Sequence, residues 1–257
     1  MKSKEEQNRM AHPGGSPEFW SDERVEKYDH HQFLTVEQKD EMLNNIVRIV
    51  TYFYKSRSID NPKVLDIGCG PGTLSARILE RISDSFIFGV DSSEEMIDAA
   101  NKNLNGRYPN RFFGYMSNFN TKQFWLPEID STYNFVVSSI ALHYLSDDRR
   151  ELFFREVYDH LGTGGVFVAS IGICSEVSEI SQMAGHFATQ FLHQQLERER
   201  GPQNFEEVKK RGTKQNAKAN INWHSPKEYI DSLRVAGFKK VDLAWHLWIK
   251  SIFVALK

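Results

Sequence analysis

The residues best suited to chemistry lie where an apolar segment meets three closely spaced glycines. Residues 64–67 have the pattern of a buried strand, and a helical pattern begins at Thr73. Between them stand Gly68, Gly70 and Gly72. Glycine lets the backbone approach a ligand closely, and the first turn of the following helix offers unpaired N–H groups to an acceptor. The segment therefore predicts a loop that holds a polar ligand at the end of a strand.

An acidic residue, Asp91, ends the next predicted strand. A carboxylate there can accept both hydroxyl groups of an adenosine ribose, as in dinucleotide-binding folds. Nicotinamide and flavin sites need the spacing G-x-G-x-x-G, but the third residue after Gly70 is Thr73, which argues against a dinucleotide. The other alternative is a plain strand–helix turn with a surface Asp91. This alternative is disfavoured because the strand, the glycines, the helix and the acidic residue follow one another in the order that a ligand site requires.

Alternating strands and helices provide the sheet that would position these residues. Strands are expected at 63–67, 86–90, 111–116, 135–138 and 166–170, with helices at 73–82, 94–104 and about 148–161. Such alternation predicts a parallel sheet covered by helices on both faces. Segments 241–247 and 249–256 have almost no connection between them, so they must pair antiparallel.

Further segments flank or interrupt this α/β core. Residues 1–17 are polar and are expected to form a disordered tail, not a signal peptide. Residues 18–57 predict an N-terminal helical cap, and residues 172–222 predict a helical insertion before the last helix. The length suits one α/β domain with embellishments, which we expect to span residues 18–257.

Two capping boxes predict where helices start. Thr35 with Gln38 predicts the start of the second helix of the cap. Ser225 with Glu228 predicts the start of the last helix, which is expected to end at Gly237.

Composition narrows the class of protein. The formal net charge of -2 provides no global attraction to a polyanion. Cys69 and Cys174 are the only cysteines, and neither has a second Cys or a His at metal-ligand spacing. We therefore expect no disulfide, no metal site and a cytoplasmic protein. No apolar run approaches the roughly 20 residues that cross a bilayer, so no membrane partner is expected.

Residues 66–72 resemble motif I of the class I S-adenosylmethionine-dependent methyltransferases, and the similarity extends over about residues 64–170. The resemblance implies a Rossmann-like α/β fold with a seven-stranded, mostly parallel sheet and an antiparallel last strand. It also implies S-adenosylmethionine as cofactor and S-adenosylhomocysteine as product. By this motif, Asp66 would lie beneath the amino group of the cofactor and Asp91 would bind its ribose. The methionine part would be lined by Gly68, Cys69 and Gly70.

The same resemblance implies contacts at the adenine end. Ser92 and Met96 would flank the adenine, although Met96 fits core packing equally well. Asn118 and Phe119 fall where the family has an acid and an apolar residue beside the adenine amino group. Asn118 keeps a carbonyl acceptor there but carries no charge. Ser138, at the end of the fourth strand, completes the set of expected cofactor contacts within the core.

Methyl transfer from a sulfonium is an in-line displacement, so the enzyme mainly supplies proximity and alignment. A general base is needed only when the nucleophile arrives protonated. His143 is the best-placed candidate base, because it follows the fourth strand and ligands in open α/β sheets bind outside the carboxyl ends of strands. The alternative for His143 is structural, since many relatives have a histidine-rich pattern there that only packs beneath the cofactor.

Aromatic side chains outside the motif could cover the site. Trp20 and Tyr28 of the cap could fold over the cofactor or the acceptor, or simply pack, and Tyr28 is included among the expected cofactor contacts. In the closing hairpin, alternation would put Trp245 on the opposite face from His246 and Trp248, so these three cannot line one pocket.

The insertion bears on the kind of acceptor. Its acidic residues are Glu197, Glu199, Glu206 and Glu207, and its basic residues are Arg198, Arg200, Lys209, Lys210, Arg211, Lys214 and Lys218. This interleaving fits a solvated helical face, whereas a surface for RNA phosphates is the alternative. We favour a small-molecule acceptor, because the acidic residues would repel a phosphate backbone.

Residues 205–219, 225–238 and 253–257 also loosely resemble the carboxy-S-adenosylmethionine-dependent tRNA wobble-uridine enzymes. In that family an Arg of a neighbouring subunit helps to hold the extra carboxylate, and Arg211 lies near the corresponding stretch. The second hypothesis is therefore a tRNA-directed enzyme that uses S-adenosylmethionine or its carboxy derivative. A third is a cofactor-binding protein without transferase activity. Either a monomer or a homodimer is compatible with the sequence.

Overall fold

The structure is a computed structural model that describes residues 34–218 and 221–257. Seven strands form one sheet: β1 (Lys63–Ile67), β2 (Phe86–Asp91), β3 (Phe112–Met116), β4 (Tyr133–Ser139), β5 (Leu161–Gly172), β6 (Lys240–Leu247) and β7 (Lys250–Leu256). Their spatial order is β3-β2-β1-β4-β5-β7-β6. Neighbours from β3 through β5 are parallel, and β7 is antiparallel to both β5 and β6. The fold class expected from the sequence is confirmed.

The helices are α1 (Lys39–Ser56), α2 (Thr73–Arg81), α3 (Glu94–Leu104), α4 (Asp147–His160), α5 (Ser178–Arg200), α6 (Phe205–Lys218) and α7 (Pro226–Val235). A short 3-10 helix, Leu142–Tyr144, lies between β4 and α4. Within the described part of the chain, no helix is both long and apolar enough to span a membrane.

Both faces of the sheet are buried, which explains why the central strands are continuous apolar runs rather than alternating ones. On one face, Val64 and Val168 pack with Met42 of α1 and Ile78 of α2, and we call this group the α1-side cluster. On the other face, Leu65 and Phe167 pack with Phe153 of α4 and Leu233 of α7, which we call the α4-side cluster. Successive residues of a strand therefore alternate between the two clusters.

The two predicted capping boxes have different outcomes. Ser225 and Glu228 form one as expected: Ser225 Oγ accepts from Glu228 N at 3.2 Å, and the Glu228 carboxylate accepts from Ser225 N at 2.7 Å. The capping box at Thr35 is wrong. Thr35 is itself helical, and α1 begins later, after Gln38, whose φ of 54° is left-handed and whose side chain makes no cap.

Candidate active site

The glycine-rich loop after β1 adopts a backbone that other residues rarely take. Gly68, Gly70 and Gly72 have φ angles of 68°, 54° and 86°. At Gly68 there is also no room for a side chain, because an added Cβ would lie 2.3 Å from Cβ of Ala141. The segment after β4 therefore packs directly onto this loop, and only glycine satisfies both the angle and the contact.

Backbone hydrogen bonds join the loop to the end of β2. The N–H groups of Gly68 and Cys69 donate to the carbonyl of Val90, at 2.7 and 3.0 Å. The next N–H, that of Gly70, donates to Asp91 Oδ2 at 2.9 Å. Asp91 Oδ1 accepts from Ser93 N at 3.0 Å. Burial raises the pKa of the Asp91 carboxyl, and these N–H donors oppose the rise.

Asp66 is the most deeply buried charged group of the site, with 1% of its surface exposed. Its Oδ2 atom accepts from Ser75 Oγ at 2.6 Å, but among the described residues its Oδ1 atom has no hydrogen-bond partner. Burial raises the pKa of Asp66 to about 7. An unsatisfied buried carboxylate oxygen is costly unless a donor reaches it. The ammonium group of an amino-acid ligand is such a donor, so this residue fits S-adenosylmethionine.

A cleft that is partly open to solvent lies beside the loop. Its walls include Asp66, Gly68, Ile140, and Met42 and Leu43 of α1. The two α1 residues are themselves buried, so the helix forms a fixed wall of the cleft. The loop side of this cleft is predictable from the sequence, whereas the contribution of α1 is not.

Ile140, directly after β4, has a left-handed backbone with φ of 55°. This conformation is strained for a β-branched residue and is kept only where the surroundings require it. Its N–H donates to the carbonyl of Ser170 at 2.9 Å, which fixes the segment to β5. Sequence reasoning missed Ile140, since nothing in its residue type signals a positive φ. The strain is concentrated where the segment after β4 lines the cleft.

The residues predicted for the adenine end lie on two neighbouring connections. Ser92 is exposed just after β2, and Met96 is buried on the first turn of α3, outside both apolar clusters of the described chain. Asn118 and Phe119 follow β3, which pairs with β2. Asn118 Oδ1 accepts from Asn120 N at 3.0 Å, and the Phe119 ring packs on Phe153 at 5.9 Å between centroids. Their contacts with adenine stay predictions.

Two other expected contacts have their polar groups turned elsewhere. Ser138 is fully buried, and its hydroxyl donates to the carbonyl of Ile67 at 2.7 Å. The hydroxyl proton is therefore used in a hydrogen bond within the sheet. The Cys69 thiol is buried, and burial raises its pKa well above the usual range, which keeps it neutral. Cofactor contacts of Ser138 and Cys69 stay predictions. Trp20 and Tyr28 lie outside the described residues.

His143 lies in the 3-10 helix after β4, as the sequence indicated, and is only 2% exposed. Its Nδ1 atom has no hydrogen-bond partner in the described parts of the chain. Burial, and then the charge of Lys250, lower the pKa of the imidazole well below its usual range. His143 is therefore neutral at physiological pH, and a role in catalysis stays a prediction.

The turn between β6 and β7 joins distant segments at the same edge of the sheet. Trp248 Nε1 donates to Glu37 Oε2 at 3.0 Å, just before α1. The Trp248 ring also lies against Phe187 of α5, with 4.4 Å between centroids. Trp248 thus links the N-terminal side of the cleft to the insertion.

Comparisons with known proteins agree with this geometry. Residues 64–165 match the family described as a methyltransferase domain. A carboxy-S-adenosyl-L-methionine synthase of Campylobacter fetus is 28% identical over 198 residues, which cover 77% of this chain and 78% of that protein.

Solved structures share the fold. An S-adenosylmethionine-dependent methyltransferase from Aquifex aeolicus superposes with a TM-score of 0.55 at 16% identity, over 92% of this chain and 97% of the other. Magnesium protoporphyrin IX methyltransferase from Synechocystis, with S-adenosylhomocysteine bound, gives 0.56 at 13% identity, over 90% and 93%. Residues 64–165 are therefore a methyltransferase domain, and the family match and the named relatives support an enzyme that uses S-adenosylmethionine.

Proposed function

We propose that this enzyme transfers the methyl group of S-adenosylmethionine to a small-molecule acceptor at the carboxyl edge of the sheet. The observation that carries the proposal is the cleft beside the glycine-rich loop: Met42 and Leu43 of α1 form one wall, and Ile140 forms another. A walled cleft suits a small acceptor, because a polynucleotide needs an open surface for its backbone.

Bound cofactor supplies an electrophilic methyl group on a sulfonium. In the proposal, the unsatisfied Oδ1 of Asp66 holds the amino group, and Asp91, fixed by the Gly70 and Ser93 N–H groups, holds the ribose. Ala141 packs directly on Gly68 and so supports the loop in this position. Because its pKa is depressed, His143 accepts a proton only weakly. Its proposed role is to hold the acceptor by a hydrogen bond.

The charges of the insertion support a small acceptor over RNA. Arg211 lies 3.6 Å from Glu207, and Arg200 lies 3.4 Å from Glu199. Exposed pairs of this kind add little stability, but they neutralise the basic side chains locally. A helical surface with alternating signs attracts a phosphate backbone poorly.

A second candidate is formation of a carboxylated cofactor, as the name of the Campylobacter relative states for that protein. The observation that favours it is the extent of that similarity, 77% of this chain and 78% of the relative. In that case the methyl carbon would lose a proton and form a C–C bond to a carboxyl group released by a second, carboxylate-donating substrate, instead of leaving for an acceptor.

Mass spectrometry of the products separates these possibilities. The purified protein is incubated with S-adenosylmethionine and, in separate reactions, with small amines, phenols and carboxylic acids or with bulk tRNA. The proposal expects S-adenosylhomocysteine and a methylated small molecule. Accumulation of carboxy-S-adenosylmethionine would replace it by the second candidate.

A binding experiment tests the RNA alternative directly. Filter binding of bulk tRNA is titrated at rising salt for the wild type and for a variant with Lys209, Lys210, Arg211 and Lys214 changed to Ala. Each phosphate contact adds to the salt dependence of binding. The proposal expects no tight binding even at low salt, and it fails if tight, salt-sensitive binding is lost in the variant.

A further inference from the structure

Lys250, the first residue of β7, occupies an unusual place for a lysine. It pairs with Gly172 of β5 on one side and with Leu247 of β6 on the other. Because β7 is antiparallel to β5, its first residue lies at the carboxyl edge of the parallel strands, the edge that carries Gly68 and Ile140. Ile252, two residues later, belongs to the α1-side cluster, so alternation places Lys250 on the same face as the cleft.

The pairing of β4, β5 and β7 determines the distance between Lys250 and the cleft. The N–H of Ile140 donates to the carbonyl of Ser170, and Gly172 follows two residues later in β5. Two residues of strand correspond to about 7 Å, and the step from β5 to β7 adds about 5 Å. Lys250 therefore lies at the same edge of the sheet as Ile140. It lies where β5 and β7 extend beyond the last residue of β4.

Two rings lie over Gly172, next to Lys250. A Cβ added to Gly172 would lie 3.5 Å from His143 Cγ and 3.4 Å from Trp223 Cζ3, so the bare glycine lets both rings approach the strand. The neighbouring Asn222 fixes this arrangement: its N–H donates to the carbonyl of His143 at 2.8 Å, and its side-chain amide donates to the carbonyl of Leu145 at 2.9 Å.

One ring nitrogen of this group lacks a hydrogen-bond partner, and its cation lacks a counter-ion among the described residues. In residues 34–218 and 221–257, no carboxylate pairs with the Lys250 ammonium, and Nδ1 of the buried His143 has no hydrogen bond. Burial lowers the pKa of Lys250 to about 8, so the side chain is still mostly cationic at neutral pH. A poorly solvated cation without a counter-ion is costly, and such groups are typical of ligand sites.

We propose that Lys250 and His143 form a subsite for one carboxylate of the substrate, next to the cleft. The inference rests on the proposed function and names its substrate class: a small molecule that carries a carboxylate. A single cation beside a neutral imidazole matches a monoanion, with Lys250 as the ion-pair partner and His143 as a hydrogen-bond donor. The Trp223 ring offers an apolar surface beside them.

The carboxylate has two possible sources, the acceptor or a carboxylated cofactor. Both are tested by titration calorimetry on the full-length protein. In one arm, protein saturated with S-adenosylhomocysteine receives small carboxylic acids (benzoate, phenylacetate and succinate) and the matched primary amides. In the other, free protein receives S-adenosylmethionine or carboxy-S-adenosylmethionine. We expect at least a tenfold preference for the carboxylate in one arm, which identifies the source.

Variants tie the preference to the subsite. Lys250→Met and Lys250→Gln should both lose the tenfold preference, and thermal denaturation verifies that they fold. Lys240→Met is the matched control, since Lys240 is exposed at the opposite edge, where it pairs with Leu256. It should keep the preference.

The outcomes separate this inference from the proposed function. Equal binding of acid and amide and of both cofactors, or a preference that survives Lys250→Met, overturns the subsite while S-adenosylhomocysteine binding leaves the proposed function standing. Absence of S-adenosylhomocysteine binding overturns both.

Discussion

Asp91 Oδ2 lies 2.9 Å from the backbone nitrogen of Gly70 and so connects the end of β2 to the glycine-rich loop after β1. A single carboxylate thereby orders the loop and presents its remaining lone pairs to a ligand. The two functions of Asp91, holding the loop and binding a ribose, can be separated by substitution.

We expect Asp91→Ala to weaken binding of S-adenosylhomocysteine by about 1–3 kcal/mol, the cost of leaving hydrogen-bonding groups unmatched. Asp91→Asn keeps an acceptor for the Gly70 N–H and should lose less. Calorimetry measures both, and Asp98→Ala, an exposed acid on α3, is the control. An unchanged dissociation constant in Asp91→Ala would remove this residue from the site.

The pKa of Asp66 makes cofactor binding a proton-linked reaction. A pKa of about 7 leaves the carboxyl mostly protonated at pH 6 in the free protein. A bound ammonium group favours the ionised form, so binding should release up to about one proton at pH 6 and almost none at pH 8.5. Calorimetry in buffers of different ionisation enthalpy measures this number.

Asp66→Asn provides the control, since it cannot release the proton. The prediction is contradicted if the wild type and Asp66→Asn show the same buffer dependence at pH 6.

The contact between Gly68 and Ala141 predicts a specific rescue. Gly68→Ala would place a methyl group 2.3 Å from the Ala141 side chain, and we expect a loss of roughly 1–3 kcal/mol in stability and weaker cofactor binding. Ala141→Gly in the same chain removes the collision but not the strain at φ of 68°. Chemical denaturation should therefore show partial recovery in the double variant. Additive losses would mean that the two residues are not in contact.

Lys250 should destabilise the folded protein when no ligand is bound. Its pKa is lower in the folded protein than in the unfolded chain, so the penalty is complete below about pH 8 and disappears as the pH rises towards 10.5. We expect Lys250→Met to be more stable than the wild type at pH 6.5 by roughly 1–3 kcal/mol, allowing for partial exposure. The gain should shrink at pH 9.5.

Denaturation at the two pH values measures that difference. The nearby imidazole of His143 is already neutral, because burial and the charge of Lys250 lower its pKa. A variant less stable than the wild type at pH 6.5 would show that Lys250 has a stabilising partner.

The sequence predicted the elements whose patterns are local. The strand Lys63–Ile67, the helix Glu94–Leu104 and the capping box at Ser225 were all correct, because periodicity and capping residues determine them over a few positions. The box at Thr35 was wrong because Thr35 is itself helical and α1 begins only after Gln38, and the sequence does not show where one helix ends and the next begins.

Features that depend on tertiary register were not predictable. A shift between Leu243 and Trp245 in β6 turns Trp245 to the α1-side cluster, whereas Leu243 packs on the α4 side. The left-handed backbone of Ile140 and the isolation of Lys250 likewise arise from neighbours distant in sequence. From the sequence, the loop side of the candidate site could therefore be predicted, and the acceptor side could not.

The hydrogen bond from Trp248 to Glu37 spans 211 residues of chain. Contacts between segments so far apart in the sequence form after local structure is in place. The edge around Trp248 should thus be the last part of the enzyme to assemble and the first to open. Hydrogen exchange should show amides near Glu37 and Trp248 exchanging through local opening, while those of β1 and β4 exchange only on global unfolding. We therefore expect a substrate to enter through this opening without disturbing the sheet beneath it.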